Sequence, residues 1–158
     1  MPITVQMKGL DALLAKLEGI KYETRYKGGR FALRKAAQLV RNKARQNAQM
    51  LNDPETGRSI ASNIVERWNG RVYKSTGNLA FRIGVQGGAI VPKKGEKPDE
   101  SAGGPTPHWR LLEFGTQKMA AKPFLVPALA SSLEAVTSEF IVQYGKGLDR
   151  ALKRGSKR

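Results

Sequence analysis

The chain has 158 residues, 40% of them hydrophobic, with 28 Lys and Arg against 13 Asp and Glu, a net charge of +15. That length suits one domain, residues 1–158, around one core. With no cysteine and a single histidine, His108, disulfides, thiolate metal sites, a cysteine nucleophile and a structural zinc site are excluded.

No uninterrupted apolar run reaches the ~18–20 residues of a spanning helix, so no membrane partner is expected. The N-terminus lacks the basic-then-apolar layout of a signal peptide, so the expected compartment is a cytoplasm. The positive surplus attracts polyanions, or pairs with an acidic protein partner, or forms a solvated surface; charge alone does not choose among them.

In chain order, residues 9–20 place Leu10, Leu13, Leu14 and Leu17 at helical spacing. A longer helix is predicted over 22–51, with Leu33, Ala36, Ala37, Val40, Ala44, Ala48 and Leu51 on one face and Arg30, Arg34, Arg41 and Arg45 on another. Gly28-Gly29 costs about 1 kcal/mol per glycine, which sets its expected start near Arg30. Residues 52–59, "NDPETGRS", read as a turn, and a short helical piece follows over 59–65.

Asn69-Gly70 reads as a hairpin turn, with Val65, Trp68, Val72 and Tyr73 packed around it. Residues 79–85 alternate with period two and predict a strand with one buried face. Residues 86–107 form a long Gly/Pro/charged loop, read either as an assembly arm or as a plain insertion. Pro123 and Pro127 stand near the start of a final helix. Its apolar repeat is Leu129, Leu133, Val136, Phe140, Tyr144, Leu148 and Leu152, and its basic tail, 153–158, is expected to fray. The order predicts an α+β fold: a small antiparallel β-sheet packed on one face by a long helix and a C-terminal helix.

Chemistry is not signalled. There is no Gly-x-Ser-x-Gly elbow, no phosphate-binding loop and no dinucleotide fingerprint. Asp53, Glu55, Asp99 and Glu100 sit in turn and loop contexts without a nuclease-like spacing. No catalytic, cofactor-binding or metal-binding residue is predicted, and the chain is expected not to be an enzyme. The stripe Arg30, Arg34, Arg41 and Arg45 is the candidate surface for DNA or a partner.

"WRLLEFGTQKMAAKPFLVPAL", residues 109–129, resembles the hallmark of a tailed-phage neck family: head–tail connector, tail-completion or minor tail proteins of lambda-like siphophages. The resemblance rests on Trp109, Glu113, Phe114, Gly115 and Thr116, then Lys122, Pro123, Phe124, Leu125, Pro127, Ala128 and Leu129. "VQMKGLDALLAKL", "DPETGRSIASNIV" and "TGNLAFRIGV" resemble further family segments in the right order, over residues 3–135. Val126 stands where the family usually has a basic residue.

The resemblance implies a structural virion protein, assembled in the host bacterial cytoplasm. It implies a homo-oligomeric ring, sixfold or twelvefold, at the head–tail junction. Adjacent head-completion or connector proteins and tail-terminator or tail-tube proteins would be its partners, with genomic DNA in the lumen. It makes Trp109, Glu113, Phe114, Gly115, Thr116, Pro123, Phe124 and Leu125 interfacial or structural. The alternative is a free basic protein that binds nucleic acid through phosphate contacts.

Overall fold

The computed structural model describes residues 18, 21–51, 59–86, 104 and 106–155. The predicted helix at 9–20 apart from Glu18, most of the turn at 52–59, most of the loop at 86–107 and the end of the basic tail lie outside them.

A π-helical stretch, Glu23–Gly28, runs directly into α1, Gly29–Gln49. Then come α2 (Ile60–Asn63), β1 (Ile64–Trp68), α3 (Gly70–Thr76), β2 (Phe81–Val85), α4 (Trp109–Phe114) and α5 (Leu125–Gly155). The strands pair antiparallel, with Ile64 opposite Val85 and Trp68 opposite Phe81. The fold is α+β as expected: a two-stranded sheet, a long helix and a C-terminal helix.

The helix does not wait for Arg30; it passes through both glycines. The reason is a neighbour. A Cβ built on Gly147 of α5 would stand 3.5 Å from the Gly28 backbone, so the two helices meet where neither carries a side chain. The cost of glycine in a helix is offset by that close approach.

α1 buries Ala32, Ala36, Ala37, Val40, Ala44 and Ala48, a seam of small residues close to the one predicted. A flat seam draws the second helix in. The residues of α5 that fit against it are small too: Ala128, Ser132 and Ala151 are buried. The predicted apolar face of α5 is therefore turned. Leu129, Leu133, Leu148 and Leu152 are 50%, 57%, 38% and 54% exposed.

The Asn69-Gly70 hairpin is also corrected. Asn69 is an N-cap: its side chain accepts the Val72 N–H at 3.3 Å and starts α3. Gly77, at φ 71°, closes that helix, its N–H bonded to the Tyr73 carbonyl. β1 thus pairs with a strand a full helix further on. Ser59 caps α2 in the same way through Ser62.

The core gathers Ala44, Ala48, Ile60, Ala61, Ile64, Phe124 and Ala128, with Ile83, Val85, Trp109, Leu112 and Leu125 packed around it. Asn63, buried beneath the sheet, donates to the Gly104 carbonyl and to Thr106 Oγ1, which ties the end of the long loop to α2.

By length and composition alone, α5 is a helix long and apolar enough to cross a membrane, although Glu134, Glu139 and scattered serines interrupt its apolar residues.

Candidate functional site

The hallmark stretch combines a local lock with exposed apolar side chains, Phe114 foremost. α4 ends at Gly115, whose N–H reaches the Leu111 carbonyl at 2.8 Å. Gly115 has φ 75°, a region L residues seldom adopt. A Cβ there would lie 2.8 Å from Ala121 N and 3.0 Å from Met119 O, both backbone atoms. Only glycine fits.

Thr116 then shapes the turn. Its N–H donates to Met119 O at 2.8 Å, and its Oγ1 accepts from the N–H groups of Lys118 and Met119. Lys122 N–H bonds to Leu112 O at 2.7 Å and brings the chain back against α4.

This return places Glu113 under the head of α5. One carboxylate oxygen accepts the N–H of Phe124 at 2.8 Å and of Leu125 at 3.0 Å; the other accepts the N–H of Val126 at 3.0 Å. The next residue is Pro127, which has no N–H. The four backbone positions that open a helix without intrahelical partners are thereby all accounted for. Negative charge at a helix N-terminus is also favoured by the helix dipole. Glu113 is 4% exposed, a depth at which its charge needs such partners.

Phe124, at 0% exposure, is the largest fully buried side chain among the described residues, and its carbonyl accepts from Asn47 Nδ2 at 3.2 Å. Trp109 and Leu125 pack around the same core, while Pro123 is exposed. Phe114, one residue from Glu113, is 74% exposed. The motif therefore divides into a buried Glu113 and Phe124, a bend at Gly115 and Thr116 whose threonine is exposed, and an outward Phe114, with Leu111 and Met119 also exposed.

The arginine stripe lies largely between α1 and β1. Arg30 stacks its guanidinium 4.6 Å from the Trp68 ring centroid and donates to the Tyr26 hydroxyl. Arg41 pairs with Glu66 at 2.7 Å, and Arg45 Nε donates to the Ile64 carbonyl at 3.0 Å. Arg34 is the outward member, its side chain 63% exposed and 3.8 Å from Glu66.

Glu66 was not singled out by sequence reasoning. It projects from the same strand face as Ile64 and Trp68, toward α1, and also accepts from Gln38. Burial pushes its carboxyl up; its own backbone N–H, Gln38 and Arg41 outweigh that and hold it below the ordinary carboxylate range. Its one sequence signal is being the lone acid in a strand with an arginine stripe upstream.

A hollow of about 340 Å³ opens beside Tyr22, Tyr26 and Tyr73. Among the described residues, no cluster of His, Asp or Glu could hold a metal ion.

A family model matches residues 11–115: that of bacteriophage HK97 gp10, described as a tail component. The chain belongs to this family and is a phage tail-related structural protein of the virion, one that meets other phage structural proteins. Neither the curated proteins nor the solved structures give a match.

Proposed function

We propose that this protein closes a homo-oligomeric ring, sixfold or twelvefold, at the head–tail junction, as a neck or tail-completion component around the DNA path. It does so without catalysis. The observation that carries the reading is Phe114: a large apolar side chain, 74% exposed, standing between the end of α4 and the Gly115 bend. An exposed aromatic is the kind of side chain that anchors an interface. A ring contact is head-to-tail, so the Phe114 patch would enter a different patch on the next subunit. Neighbouring head-completion or connector proteins and tail-terminator or tail-tube proteins would stack above and below.

The rival reading, a free protein that binds nucleic acid, loses much of its best-defined surface. Arg30, Arg41 and Arg45 have partners within the fold. DNA in the lumen would meet Arg34 and the remaining surplus charge.

Cryo-electron microscopy of virions, with wild-type protein and with Phe114→Ala, tests the proposal. The expected result is a closed ring of wild-type chains at the junction, and unjoined heads and tails from the variant. Absence of the chain from that density, or normal particles from the variant, would overturn it.

A further inference from the structure

We infer that the free protein pairs with a second copy of itself, α5 against α5, antiparallel about a twofold axis between residues 140 and 141. The face involved is the one turned away from α1. Leu129, Leu133, Ile141, Leu148 and Leu152 are all more than a third exposed, Ile141 at 63%. Together they make an apolar stripe about 35 Å long at 1.5 Å per residue. Apolar stripes of that length are rarely left to water in a monomer.

Two features of the helix select its occupant. The first is spacing. Leu129 and Leu133 stand as far before the 140/141 midpoint as Leu152 and Leu148 stand after it. Antiparallel pairing therefore sets Leu129 against Leu152 and Leu133 against Leu148, twice over. Near the centre, the exposed Ile141 of one copy lies beside Ile141 of the other.

The second is charge. Residues 125–140 carry Glu134 and Glu139 and no cation, whereas 141–155 carry Lys146, Arg150, Lys153 and Arg154 against Asp149. Antiparallel pairing lays each acidic half on a basic half; parallel pairing would lay basic on basic.

A bilayer is the competing occupant, since α5 has the length and hydropathy to enter one. Glu134 and Glu139 stand inside its apolar stretch, and burying them in lipid is costly. The other side of the helix is already packed on α1. A twofold contact is satisfied at two copies and does not propagate around a ring. The inference therefore concerns the protein before assembly and is independent of where it stands in the virion.

Sedimentation equilibrium of the full chain across a concentration series reads the result. The expected mass is about twice the chain's 17.3 kDa, falling to 17.3 kDa for the double variant Leu133→Glu, Leu148→Glu, with an unchanged circular dichroism spectrum. The chain has no cysteine, so introduced ones report orientation. Leu129→Cys mixed with Leu152→Cys should form a mixed disulfide, and neither alone should link to itself. A monomer at the highest concentration, a dimer untouched by the double variant, or self-linking of Leu129→Cys would each overturn the inference. So would a monomer that binds vesicles of anionic phospholipid through α5.

Discussion

Glu113 and Phe124 are joined at 2.8 Å across the Gly115 bend, the carboxylate of one taking the backbone N–H of the other. Eleven residues separate them in sequence, and the hydrogen bond makes them one unit. The acid holds the helix start that puts Phe124 in the core, and the buried ring holds the helix start over the acid. Four predictions follow from this unit and its surroundings.

Replacing Glu113 by Gln leaves one acceptor oxygen and turns an amide donor toward N–H groups that need acceptors. The loss of a charged cap with three hydrogen bonds should cost about 2–4 kcal/mol. Urea unfolding measures it. A midpoint equal to wild type would mean that Glu113 does not cap α5.

Gly115 and Gly77 share a positive φ but differ in surroundings: a Cβ on Gly77 meets nothing within 4 Å, whereas one on Gly115 meets backbone at 2.8 Å. Gly77→Ala should therefore cost only its conformational strain, about 1 kcal/mol, and Gly115→Ala clearly more, about 2–3 kcal/mol. Parallel thermal melts of the two variants compare them. Equal losses would show that the bend tolerates a side chain.

Phe124→Ala should lose about 3–5 kcal/mol, as a fully buried aromatic does. Phe114→Ala should stay within about 0.5 kcal/mol of wild type in the monomer, because an exposed ring contributes little to its own fold. The pair separates stability from assembly. A Phe114 variant that unfolds early would place that ring in the core instead.

Glu66 links stability to pH. Its folded-state carboxyl lies below the unfolded one, so the stability it adds is present above the unfolded value, about 4.3, and is lost as pH falls through the lowered folded value. Wild type should consequently lose more stability between neutral and acid pH than Glu66→Gln does. Urea titrations at a series of pH values give both curves. Parallel curves would mean that the Arg41–Glu66 pair contributes no pH dependence.

Much of the frame was legible in the residues. The alanines of α1 recur at steps of three and four, and that local repeat predicts which face is buried whatever packs there. Phe81, Ile83 and Val85 alternate, and alternation means a strand with two unlike faces. The Asn69-Gly70 pair misled because it serves two purposes. Asparagine caps a helix as readily as it turns a hairpin, and the choice lies with Gly77, eight residues later, which ends the helix that Asn69 begins.

By itself, then, the sequence determined the long helix, the strand at 81–85 and the final helix, the small-residue seam on α1, and the glycine and proline punctuation around 115–127. These are written in spacing and in backbone preferences, which act over a few residues. Only the tertiary structure decided that Glu113 caps a helix, that Arg41 and Arg45 hold down β1, and that the leucines of α5 face out rather than in. Each depends on what lies across a gap. A carboxylate finds its N–H partners only once a bend has folded back. An arginine is claimed only once a strand lies beside it. And a helix with apolar residues on two sides turns its small side inward when the surface it meets is flat.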